Sequence, residues 1–126
     1  MTPSDDPVEV YIAELSKFPP FQVEEESLCV QRLREGGPES QAAGMRLLEV
    51  YFLKVVPIAQ RYQTDQAHVL DLIQAGNNGL LRALRTFAES GGESFANHAS
   101  AHIEFAIEEV LHSTSPLERT DFTGQL

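Results

Sequence analysis

Apolar residues recur along the chain at three- and four-residue spacings, and runs of strictly alternating apolar and polar positions are absent. Such spacing puts one side of successive helical turns against a core and predicts no sheet. A first helix is expected from Pro7, a residue favoured at the first helical position, behind Asp6 as N-cap. Val8, Tyr11, Ile12 and Leu15 form its apolar stripe, and Pro19-Pro20 stops it. A second helix, from about Val23 to Glu35, opens on Glu24, Glu25 and Glu26, where the helix dipole favours negative charge. Its buried side carries Cys29, Val30 and Leu33. After the break at Gly36-Gly37-Pro38, a long pattern runs from about Glu39 to Tyr62. Pro57 inside it predicts a kink or break, since proline removes a backbone donor.

A polar loop, Gln63 to Gln66, leads to a short helix ending near Ala75. Gly76-Asn77-Asn78-Gly79 then reads as a turn into a further helix ending near Phe87. Glu89 to Glu93 reads as a flexible loop. Ser94 can cap a last helix over about Phe95 to His112, with Phe95, Ala99, Ile103, Ala106 and Val110 on one face. Ser113 to Leu126 has little periodicity and is expected to be a flexible tail. The pattern predicts an all-α bundle of about six helices over residues 1–112.

Composition narrows the function classes. A chain of 126 residues can bury one core without disulfides or metal. Its single cysteine, Cys29, cannot form an internal disulfide and fits a reducing cytoplasm. Nineteen acids against nine bases give a net charge of −10, which argues against nucleic acid, because phosphates attract basic footprints. Met1 is followed by Ser4, Asp5 and Asp6, not by the basic start of a secretory signal. The most apolar stretch, Leu47 to Ala59, contains Glu49, Lys54 and Pro57 and is too short to span a bilayer. These features predict a cytoplasmic protein with no membrane partner.

Enzyme chemistry finds little support. His98 and His102 stand four apart, a spacing that can hold zinc, and Glu109 continues their stripe. The intervening Ala-Ser-Ala lacks the glutamate of a zincin site, and a pair of surface histidines is the favoured reading. Cys29 on an apolar face reads as a small core residue. Gly76 and Gly79 lack the strand and lysine of a phosphate loop. No catalysis, cofactor, metal or small-molecule substrate is expected.

The segment LDLIQAGNNGLLRAL, Leu70 to Leu84, resembles bacterial RNA polymerase sigma factors of the housekeeping class. VVPIAQRY (Val55–Tyr62), SFANHASAHIEFAI (Ser94–Ile107) and DPVEVYIAEL (Asp6–Leu15) are similar to the same family. The resemblance implies leading helices over residues 7–35 and an all-α second region over 39–112. It further implies that the central helix pair packs on the coiled coil of the polymerase clamp, making core RNA polymerase the partner. By position, the clamp-contacting residues fall on Asp71, Gln74, Ala75, Asn77 and Leu81. Asp71, Gln74 and Asn77 keep the family's residue types, whereas Ala75 replaces an acidic residue and Leu81 a methionine. Read from the residues themselves, Leu70, Leu72 and Ile73 face a core and leave Asp71, Gln74 and Asn77 toward solvent. Turn chemistry at Gly76-Asn77 would account for the same residues without a partner.

In that family the last helix opens promoter DNA, with unstacked bases packed on aromatic side chains and basic residues gripping phosphates. Such stacking contributes about 1–3 kcal/mol per base. The positions of the family's tyrosine and paired tryptophans are His98, Ala101 and His102 here, and the chain has no tryptophan. The arginine after the pair is Glu104, and the next two promoter-reading positions are Phe105 and Glu108. From Glu93 to Leu126 six acids face one base. Each reversal replaces an attraction by a repulsion of about 1 kcal/mol at contact, even in water. The expectation is a sigma-like protein that keeps polymerase docking and has weak or absent promoter binding. The alternative is an acidic all-α interaction module for an unrelated basic partner.

Overall fold

A computed structural model describes residues 6–64 and 68–113 of the chain. These form α1 (Pro7–Leu15), α2 (Glu25–Glu35), α3 (Ser40–Arg61), α4 (Val69–Thr86), a 3-10 turn (Phe87–Glu89) and α5 (Phe95–Ser113). The described residues contain no strand, so the architecture is all-α. Part of the expected loop, from 65 to 66, and the expected tail beyond Ser113 lie outside them. Ser113 itself ends α5.

Local chemistry sets most helix ends. Asp6 accepts from the Val8 N–H at 2.9 Å, with Pro7 in the first turn of α1. α2 starts two residues later than its charge pattern suggests, because Glu24 adopts a left-handed backbone at φ 68°. The Gln22 N–H donates to Glu25 Oε1 at 2.9 Å, fixing that turn from the side-chain side. Gly36, at φ 72°, closes α2 in the left-handed conformation that glycine adopts without a Cβ penalty. α3 runs through Pro57 without the expected break. Its neighbours Val55, Val56 and Ala59 are buried. Burial of each valine stabilises by about 1.5–3 kcal/mol, which together exceeds the cost of about 3 kcal/mol for an interior proline.

The larger departure is α4. Gly76 to Gly79 is not a turn but the middle of one continuous helix, which leaves five α-helices among the described residues. The glycines answer to packing. A Cβ at Gly76 would lie 2.6 Å from Val55 Cγ1 and 3.2 Å from Ile103 Cγ2. A Cβ at Gly79 would lie 2.3 Å from the His102 carbonyl oxygen. Each glycine costs about 1 kcal/mol of helix propensity, offset by the close approach of α4 to its neighbours.

Leu47, Val55, Leu72, Leu80, Phe87, Ile103 and Ile107 are the large, fully buried side chains. Phe95 meets Phe87 and Tyr51 edge to face, with centroids 5.2 and 5.1 Å apart, joining α5 to the 3-10 turn and α3. Cys29 is buried against this core, and desolvation pushes its thiol pKa up, as expected of an inert packing residue. Arg46 ties α2 to α3, donating to Glu25 at 2.6 Å, to Glu49 at 3.2 Å and to the Pro20 carbonyl at 3.1 Å. Its hydrogen bond holds the Glu25 carboxyl below the usual range. No helix of the described residues is long and apolar enough to cross a membrane.

Candidate functional site: the outward faces of α4 and α5

On α4, Leu72, Ile73, Ala75, Gly76, Gly79, Leu80 and Ala83 are buried. Their helical period leaves Asp71, Gln74, Asn78, Arg82 and Arg85 exposed along the opposite side. Asp71 stands in the first turn and Arg85 in the last, each where the dipole favours its charge. Asp71 and Gln74 therefore face solvent as expected. Asn77 does so only in part: its Nδ2 donates to the Tyr11 hydroxyl of α1 at 3.0 Å, and its Oδ1 is buried without a partner. Leu81 is half-buried, and buried Ala75 cannot present itself to a partner. Asn78, which the sequence reading did not single out, occupies the exposed stripe instead. The signal was available in the apolar period, which continues from Leu72 through Leu80 without a change of phase.

On α5, Phe95, His98, Ala99, Ile103, Ala106 and Ile107 point inward. Ala101, Phe105 and Glu108 are exposed, Phe105 to 53%, while His102 and Glu104 are half-buried. His98 is not on the outward face, and the histidines are not a surface pair. His98 is 8% exposed, with Nε2 2.8 Å from Thr86 Oγ1 and Nδ1 3.1 Å from Glu93 Oε2. Its position three residues after Phe95 turns it toward the Phe87 ring, 5.7 Å away, and the His102 ring lies 4.6 Å off. Burial lowers the His102 pKa, with His98 and Arg82 adding to the effect and Glu93 opposing it. Both ring nitrogens of His98 are engaged. Among the described residues no group of three His, Cys, Asp or Glu side chains could hold a metal.

Glu104 and Glu108 are anchored rather than merely solvated. The Tyr62 hydroxyl, at the end of α3, donates to Glu108 Oε2 at 3.0 Å and lies 3.5 Å from Glu104 Oε1. Arg61 approaches Glu104 at 3.9 Å. Desolvation, then the Glu108 carboxylate, raises the Tyr62 pKa and keeps the hydroxyl protonated as a donor. Acid at these positions is thus built into the α3–α5 contact. That link was invisible in the sequence, where 42 and 46 residues separate the partners.

The geometry is that of an all-α protein whose two closely packed helices present two outward faces of unlike chemistry. Residues 47–111 match the family model of sigma-70 region 2. The chain is 36% identical over 103 residues to RNA polymerase sigma factor SigA of Lactococcus lactis subsp. cremoris, covering 82% of this chain and 28% of that protein. SigA of Clostridium acetobutylicum is 39% identical over 103 residues, covering 82% and 26%. RNA polymerase sigma factor RpoS of Coxiella burnetii is 32% identical over 114 residues, covering 90% and 32%. The chain belongs to the sigma-70 family of RNA polymerase sigma factors. It spans between a quarter and a third of the length of these relatives.

Proposed function

We propose that this protein acts in bacterial transcription initiation or its regulation, docking through α4 on the clamp coiled coil of core RNA polymerase. In this reading residues 39–112 form the docking unit and residues 7–35 its leading helices. The supporting observation is the exposed pair Asp71 and Gln74, on a helix whose opposite side is fixed in the core through Gly76 and Gly79. Polar groups held on a rigid helix give a preorganised surface, so little ordering entropy opposes binding. Family membership favours polymerase over an unrelated basic partner.

The outward side of α5 supports a second element of the proposal, the loss of promoter melting. Ala101 and half-buried His102 offer no large stacking surface, Glu104 and Glu108 repel phosphates, and Phe105 alone presents an exposed aromatic ring on that side. Binding of the full chain to core polymerase, measured with Asp71→Ala and Gln74→Ala alongside, tests the docking half. Each change is expected to weaken binding about three- to tenfold, the effect of one interfacial hydrogen bond. Binding indifferent to both substitutions would reject docking through α4. Opening of a promoter by polymerase core plus this protein alone would reject the loss of melting.

A further inference from the structure

We propose that Tyr11 of α1 is a positioning residue for the docking face, holding the Asn77 amide so that it offers a hydrogen-bond donor to an acceptor on the polymerase. This rests on the docking reading above. Asn77 is half-buried between buried Gly76 and exposed Asn78, where an apolar side chain would carry no polar group to satisfy. Asparagine instead leaves Oδ1 buried and unpartnered. Such an orphaned acceptor costs about 1–3 kcal/mol, whereas one hydrogen bond returns about 1 kcal/mol. Fold stability therefore does not account for the residue, and an unpaired buried polar group invites a functional reason.

Tyr11 supplies the geometry of that function. α1 is seated by the Asp6 cap, by buried Leu15, and by Val8, Tyr11 and Ile12 packed against the core. The Tyr11 hydroxyl accepts one of the two Nδ2 hydrogens at 3.0 Å, leaving the second N–H without an acceptor among the described residues. With Oδ1 turned inward, that N–H is the amide group left for a partner. Without the Tyr11 hydroxyl the amide can rotate to bring Oδ1 out to water, and the face would then present an acceptor where it now presents a donor. A leading helix 66 residues away in sequence thus sets the polarity of one point on the docking surface.

The experiment measures binding of the full chain to bacterial core RNA polymerase for wild type, Asp71→Ala, Tyr11→Phe, Asn77→Asp, Asn77→Ala and the Tyr11→Phe/Asn77→Ala double variant, with thermal melts of each. Tyr11→Phe is expected to weaken binding about three- to tenfold, as loss of one oriented hydrogen bond does. The double variant should bind no more weakly than Asn77→Ala alone, because the tyrosine acts through the asparagine. Asn77→Asp removes both amide donors and reverses the bond, so that the Tyr11 hydroxyl donates to the carboxylate, and it should bind at least as weakly as Asn77→Ala. Asn77→Ala should melt no lower than wild type, since the orphaned carbonyl goes with it. Tyr11→Phe binding as well as or better than wild type, full additivity in the double variant, or retained binding by Asn77→Asp would overturn the inference. If wild type binds and Asp71→Ala weakens it while Tyr11→Phe does not, the positioning role alone falls. If wild type does not bind, the docking reading falls and takes this inference with it.

Discussion

Among the described residues α4 and α5 share the most extensive helix contact, yet their outward faces follow different chemistry. α4 presents Asp71, Gln74, Asn78, Arg82 and Arg85, a stripe of mixed sign. α5 presents Ala101, Phe105 and Glu108 with half-buried Glu104, a stripe without a cation. The inner sides leave little room for change, because glycine is required where backbone or Val55 stands within 3 Å of any added Cβ. Exposed positions carry no such demand, and substitutions there usually change stability by less than about 0.5 kcal/mol. One helix pair can therefore hold its packing while its two outer surfaces diverge independently.

The most damaging substitutions fall at the shared seam. Gly79→Ala should destabilise the fold by about 3 kcal/mol or more, since the obstacle is the His102 backbone and not a side chain that can turn away. Gly76→Ala meets the Val55 and Ile103 side chains and should cost less, about 1–3 kcal/mol; urea denaturation ranks the two. If both are neutral, the seam does not constrain the pair.

Next in size is a change centred on the α5 face, which also releases Tyr62 and Arg61 at the end of α3 from their glutamate partners. Ala101→Trp with Glu104→Arg and Glu108→Arg supplies a stacking surface of about 1–3 kcal/mol per base and reverses two charges. Fluorescence anisotropy with a single-stranded oligonucleotide should then show binding that weakens with salt, while affinity for core polymerase stays as in wild type. Loss of polymerase binding in this variant would show that the two faces are not independent.

The smallest effect sharpens the role of burial at the seam. The ordinary histidine pKa of 6.5 is lowered at His102, so the folded protein binds fewer protons there than the unfolded chain. Its contribution to stability is full above about pH 6.5 and is lost as pH falls from there through the lowered value of the folded state. Melting temperatures between pH 7.5 and 5.5 should fall less steeply for His102→Gln than for wild type. An identical slope would remove His102 from the account.

Much of the fold was legible because its determinants are local. The Asp6-Pro7 start of α1 and the Ser94 cap of α5, whose hydroxyl accepts from the Asn97 N–H at 3.1 Å, involve residues two or three apart. Phe95, Ala99, Ile103 and Ala106 on the inward side of α5 follow from periodicity, whereas Ile107 joins them and Val110 is only half-buried. What escaped depends on distant partners. Gly76-Asn77-Asn78-Gly79 has the composition of a turn, and the reason it is helical lies in Val55, Ile103 and His102, placed there by other helices. His98 is drawn inward by Thr86, Glu93 and Phe87, none of which its spacing from His102 could reveal. On the outward side of α4, the exposure of Asp71 and Gln74 was readable from the apolar period. The tie between Asn77 and Tyr11 was not, because it joins two helices 66 residues apart in the sequence.

The Gly79 seam has one more consequence. With the His102 carbonyl seated where a Cβ would be, α4 cannot slide or roll against α5 without backbone meeting backbone. Whatever grips one helix thereby fixes the bearing of the other. The pair is built as a jig: a molecule docked on α4, as proposed, would hold the α5 face at a fixed angle to itself.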